Sequence, residues 1–113
     1  MHFDLEDRLR RVRSEPEWRA GDRNSITLAK GSSFRVLLTS LRAGASIGED
    51  DSDGPFSVHS LEGSVLVRRA GEEVRLGPGQ IATLESGAPW SVIAEVDAAV
   101  LVTGWWPLDR EAV

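Results

Sequence analysis

The sequence predicts an all-β domain of barrel or jelly-roll type behind a short helical segment, and three observations carry this. From Ser25 onward, short apolar runs rich in β-branched residues alternate with Gly, Pro, Asp and Ser clusters, at a spacing of roughly 8–12 residues. No helical pattern alternates with these runs, which argues against a parallel βαβ sheet. The chain has 113 residues, which suits one domain with one core.

The elements follow in chain order. Leu5, Leu9 and Val12 recur at i, i+4 and i+7, one apolar stripe among charges, and predict a helix. The basic run from Arg8 to Arg13 reads as the solvated face of that helix. Ser14-Glu15-Pro16-Glu17 has the pattern of a capping box with Ser14 as the cap, and Pro16 falls in the first turn, where its missing N–H costs nothing. A second short helix is therefore expected up to Ala20, stopped at Gly21, with Trp18 packing onto the domain. This divides one domain into a helical segment, residues 1–24, and a β-barrel, residues 25–113. Eight strands are expected: Ile26–Leu28, Phe34–Leu41, Phe56–Leu61, Ser64–Arg69, Glu73–Leu76, Ile81–Leu84, Trp90–Ala94 and Ala98–Thr103. That number of short strands with regular punctuation suits a sandwich, jelly roll or barrel.

Composition excludes several chemistries. There is no cysteine, so a disulfide scaffold, a cysteine zinc site and a thiol nucleophile are ruled out. A formal net charge of −5 argues against a nucleic-acid or anionic-membrane partner. The N-terminus is charged from the start without an apolar leader core. No stretch approaches the roughly 20 apolar residues of a membrane span. A cytoplasmic protein without a nucleic-acid or membrane partner is expected.

Two glycine-framed spacings stand out. The first runs Gly44, five residues, Asp50, one residue, Ser52, three residues, Phe56, six residues, Gly63. The second runs Gly79, five residues, Glu85, one residue, Gly87, two residues, Trp90, three residues, Ala94. Fifteen residues, Ser64 to Pro78, separate them. Over residues 34–104 this pattern resembles the cupin superfamily, whose motifs are G-x5-H-x-H-x3,4-E-x6-G and G-x5-P-x-G-x2-H-x3-N. The resemblance implies a small single-domain cupin: a double-stranded β-helix, the jelly-roll barrel.

In cupins the histidines and the glutamate of these motifs hold a divalent metal inside the barrel. Here Asp50 and Ser52 stand at the first two histidine positions, Phe56 at the glutamate and Trp90 at the remaining histidine. A transition-metal site of this kind needs imidazole nitrogens with a carboxylate, and one aspartate does not make one. The resemblance therefore implies a barrel without the usual metal set, and no metal or other cofactor is expected.

Period-two alternation puts Phe56, Val58 and Ser60 on one strand face and Ser57, His59 and Leu61 on the other. Asp50, Ser52, Phe56, Val58, Val65, Val67, Trp90 and Val92 are the candidate lining of a ligand pocket. His59 faces away from Phe56 and, with Asp50, is a weak metal candidate. His2 lies at the terminus. The acidic run from Glu49 to Gly54 lacks the spacing and closing glutamate of a calcium loop and reads as a solvated turn. Asp50 with Glu85 could do acid–base work only if both reached one cavity, and Glu85 at a strand end faces the rim. A serine triad would have to use His59 or His2.

Outward Leu61 and Leu66, with the adjacent Trp105 and Trp106, point to a covered surface and a homodimer. Three functions fit. The first is a non-catalytic protein that binds a small organic molecule or a partner. The second is a metal-dependent enzyme of dioxygenase or isomerase type with an unconventional site. The third is a structural or interaction module with a filled barrel. The missing ligands favour the first and third.

Overall fold

The computed structural model describes residues 2–30, 34–49, 55–85 and 89–105, with the backbone alone for Glu49 and Trp105. Helix α1 spans Leu5–Ser14. Its N-cap is Asp4, whose carboxylate accepts from the Asp7 N–H at 3.2 Å. Glu6 and Asp7 in the first turn and Arg11 and Arg13 in the last complement the helix dipole. The stripe buries Leu9 and Val12.

Helix α2 spans Pro16–Ala20 and corrects the capping-box reading. Its N-cap is Glu15, which makes no side-chain cap bond. Ser14 is the last residue of α1, and its hydroxyl donates back to the Arg11 carbonyl at 2.8 Å. The proline at the first helical position starts α2 without a side-chain cap.

Nine strands follow among the described residues: β1 Arg23–Lys30, β2 Phe34–Leu41, β3 Ser46–Glu49, β4 Phe56–Glu62, β5 Val65–Arg69, β6 Glu72–Leu76, β7 Ile81–Leu84, β8 Trp90–Ala94 and β9 Ala98–Trp105. The strand not foreseen is β3. It has four residues and one large apolar side chain, Ile47, too little for a periodic signal. It forms because β8 supplies a partner, with Ile47 opposite Val92 and Gly48 opposite Ser91. The approach is close: a Cβ on Gly48 would lie 2.3 Å from the Trp90 carbonyl oxygen.

The strands make two antiparallel sheets. One has the order β1-β2-β9-β4-β7 and the other β3-β8-β5-β6. Their inner faces meet in a core that includes Leu41, Val58, Val65, Val67, Val92, Val100 and Val102. The motif glycines Gly44, Gly63 and Gly79 sit at φ of +87°, +70° and +83°, the left-handed region that frees the chain to turn corners. At Gly63 there is a second constraint, since a Cβ would stand 2.5 Å from the Asp97 carbonyl oxygen.

The outer face of the five-stranded sheet lies under α1. Leu9 packs there with Leu38 and Ala99, ringed by Ile26, Leu28, Leu61 and Leu101. Leu61 does leave the barrel, but it packs into this cluster within the chain. Polar contacts fix the helices. Arg13 donates from Nε to the Ser40 hydroxyl at 2.9 Å and pairs with Glu62 at 2.8 Å. Arg42 lies 4.0 Å from the Trp18 ring centroid and donates to the Trp18 and Gly21 carbonyls at 2.9 and 3.1 Å. Among the described residues no helix is long and apolar enough to cross a membrane.

Candidate functional site: an aromatic layer in the barrel

Alternation along each strand decides what enters the barrel. β4 sends in Phe56, Val58 and Ser60, and β8 sends in Trp90, Val92 and Ala94. Phe56 and Trp90 meet across the space between the sheets, with ring centroids 4.4 Å apart and planes tilted by 40°. They are 7% and 9% exposed. Tilted ring pairs at this separation attract beyond their buried area. The Trp90 indole Nε1 is buried and has no hydrogen-bond partner among the described residues. Below the pair, Ser60 is buried with its hydroxyl donating to the Gly63 carbonyl at 3.0 Å.

The same parity brings two arginines into this layer. On β2, Arg35 shares a face with Leu37, Thr39 and Leu41, and on β5, Arg69 shares one with Val65 and Val67. Register sets their neighbours. Arg35, Gly104, Phe56 and Leu84 form one transverse row of the five-stranded sheet. Trp90, Arg69 and Glu72 form a row of the other. The Nε atoms of both arginines are buried, and both side chains take part in interactions within the protein. The motif positions alone do not reveal this pair. Its signal in the sequence is the alternation, where each arginine falls in step with inward hydrocarbon.

The expected pocket residues separate into packed core and cleft border. Val58, Val65 and Val92 are wholly buried in the core and border none of the clefts described below. Val67, Phe56 and Trp90 reach open space. Val67 borders a cleft of about 490 Å³ with Arg69, Glu72, Val74, Leu84 and Glu85. Phe56 borders one of about 330 Å³ with Phe34, Pro55, Leu84 and Gly104. Trp90 borders one of about 730 Å³ with Gly48, Arg68, Arg69 and Ser91. Asp50 and Ser52 lie outside the described residues, as do the acidic turn from Asp50 to Gly54 and Trp106. Glu85 is exposed.

His59 stands on the outer face of its sheet, between Leu101 and Ile81 in register. It cannot share the barrel with Phe56. Among the described residues no group of three or more His, Asp or Glu side chains comes together. Phe56 and Trp90 offer no ligand atom for a metal. The described donors therefore do not fit the imidazole-rich centre that the cupin resemblance implies.

No sequence-family profile matches the chain, and no characterised protein matches it by sequence. Solved structures do match it by shape. A cupin superfamily protein from Desulfitobacterium hafniense is 17% identical with a TM-score of 0.69, over 74% of this chain and 76% of that one. The protein TT1209 from Thermus thermophilus is 29% identical with a TM-score of 0.72, over 86% of this chain and 92% of that one. Salicylate 1,2-dioxygenase from Pseudoaminobacter salicylatoxidans is 19% identical with a TM-score of 0.83, over 97% of this chain and 34% of that one. Two facing antiparallel sheets, left-handed glycines at the motif corners and these neighbours agree: the chain is a small protein with the cupin fold.

Proposed function

We propose that this chain is a cupin-fold binding protein that works without a barrel metal and holds a small organic molecule at the mouth of the barrel. The carrying observation is the Phe56–Trp90 contact at 4.4 Å, two apolar rings at positions where the resemblance places metal ligands. Rings there supply stacking surface, and the buried indole N–H supplies one directional donor, the usual make-up of a small-molecule site. The clefts beside Phe56, Arg69 and Trp90 support this reading. The dioxygenase named above acts on salicylate, and at 19% identity its chemistry does not carry over.

The test is thermal melting of the full chain in EDTA against a panel of neutral, cationic and anionic aromatic and aliphatic metabolites. A ligand that binds only the folded state raises Tm. At least one compound raising Tm in EDTA is the expected result. A panel that acts only after metal is restored contradicts the proposal, and one that never acts favours a filled-barrel interaction module, the reading supported by the packed core residues Val58, Val65 and Val92.

The proposal includes a homodimer through the outer face of the five-stranded sheet. Its support is the edge of that face away from the α1 cluster, where Ile81, in register beside His59, is 57% exposed. Sedimentation equilibrium checks it: a dimer that Ile81→Lys converts to monomer is expected, and a monomeric parent protein contradicts it.

A further inference from the structure

We infer that β7 is a self-pairing edge strand: two copies of this chain join Ile81–Leu84 antiparallel about a two-fold axis at Ala82, so that the five-stranded sheet of one runs on into that of the other. This rests on the homodimer reading above and names its contact.

β7 ends its sheet, and among the described residues no strand pairs with its far side. Hydrogen bonds and register fix which backbone groups that side presents. Ser60 donates its N–H to the Gln80 carbonyl at 2.9 Å and accepts from the Gly79 N–H at 2.8 Å, so its backbone groups face β7. Direction alternates along an antiparallel strand, so Val58 and Phe56 face β7 too, where Ala82 and Leu84 meet them. The N–H and C=O groups of Ile81 and Thr83 therefore point outward. Setting Ala82 opposite its own copy brings Ile81 opposite Thr83 of the partner subunit, and each such pair can exchange both of its N–H···O bonds. At the axis the Cα atoms come closest, about 4.5 Å apart, and Ala82 has only a methyl group to place there.

Charge singles out this edge. Sheets guard exposed edges with charged side chains, bulges and short strands. β1 begins at Arg23, ends at Lys30 and is irregular between Thr27 and Ala29. β3 ends on Glu49. β6 reads Glu-Glu-Val-Arg-Leu, with Glu73 and Arg75 paired to Arg68 and Glu95 within the chain. β7 reads Ile-Ala-Thr-Leu, without charge, proline or bulge. Its self-pairing sets isoleucine beside threonine and alanine beside alanine, with no like charges opposed. Apolar surface flanks the edge on both sides. Ile81 is 57% exposed on the outer face, and Val74 is 48% exposed in the inner cleft that it shares with Ala82 and Leu84. A second copy at β7 covers Ile81 and closes the flank of that cleft. The competing explanation is that four residues are too short an edge to need a guard, and the oligomeric state of edge variants separates the two.

The experiment compares full-length protein with edge variants by sedimentation equilibrium and by oxidative cross-linking. Ile81→Lys disturbs any contact on this side, so the edge needs its own probe. Thr83→Pro removes an outward N–H and leaves the bonds of Ala82 and Leu84 to β4 in place. It is expected to raise the dimer dissociation constant at least about tenfold while the circular dichroism of the folded chain is kept. If Thr83→Pro does not fold, cross-linking decides. The chain has no cysteine, so Ala82→Cys can form only the symmetric disulfide, at a Cα separation that a disulfide accepts. Ala82→Cys is expected to oxidise to covalent dimer at least about tenfold faster than Thr27→Cys, which is exposed on the opposite edge strand of the same sheet. A dimer that Thr83→Pro leaves equally tight overturns the edge assignment, and so does Ala82→Cys linking no faster than Thr27→Cys. Either result leaves a homodimer through the sheet face standing. A parent protein that stays monomeric overturns both, and the metabolite panel then judges the binding reading on its own.

Discussion

At the residue scale the barrel is defined by what Phe56 and Trp90 do to each other. Each buries most of a large ring, so truncating either leaves a cavity that the neighbouring valines fill only in part. Phe56→Ala and Trp90→Ala are each expected to cost about 3–5 kcal/mol in urea unfolding. The double variant should cost less than the sum, with a coupling of about 0.5–1.5 kcal/mol from the ring contact. Strict additivity would mean the rings do not interact. Gly63 gives a second test. Ala there meets both a left-handed backbone and the Asp97 carbonyl at 2.5 Å, whereas at Gly79 the backbone is left-handed but the space is open. Gly63→Ala should therefore destabilise more than Gly79→Ala, whose cost is about 1–2 kcal/mol for the backbone alone. Equal losses would mean the close approach relaxes freely. These two rings were legible as substitutions at motif positions. Their mutual contact was not, because it joins strands 34 residues apart in sequence (56 to 90) and depends on how the sheets face.

At the element scale, legibility followed periodicity. α1 and the longer strands carry enough repeats to declare themselves. β3 does not, since Ser46-Ile47-Gly48-Glu49 holds a single large apolar residue and takes its conformation from β8. The start of α2 is ambiguous in sequence because Ser14 can satisfy its hydroxyl in two ways, and closing α1 on the Arg11 carbonyl prevails. One link between elements is pH-dependent. Arg75 on β6 donates from Nε and Nη2 to both oxygens of Glu95 after β8, at 2.8 Å each. The hydrogen bond from Arg75, aided by its charge, holds the Glu95 carboxyl below its ordinary value of 4.5. A carboxylate lowered in the folded state stabilises it above the unfolded pKa, and that gain is lost as pH falls through the folded one. The pair is solvent-screened, so the effect is small. Glu95→Gln should melt slightly below the parent at neutral pH, and the gap should close as pH drops below about 4. A gap that is constant from neutral to acid pH would assign the loss to packing.

At the scale of the whole molecule, two sheets close around one core and α1 covers part of the outside of one of them. The overall architecture was legible because the glycine corners and strand rhythm are local signals that repeat over residues 34–104. The candidate site was legible only in part. Phe56 and Trp90 were named from spacing, while Arg35 and Arg69 needed the register that brings four strands to one level. The central claim is that this cupin-fold barrel works with an aromatic pair where a metal centre would be. Metal content measured by mass spectrometry, on full-length protein produced in metal-replete medium and purified without chelator, tests it most directly. The account predicts Fe, Ni, Mn, Cu and Zn each far below one per chain, with Tm unchanged by EDTA. One equivalent of any of them, retained through purification and lost together with thermal stability on chelation, would contradict it.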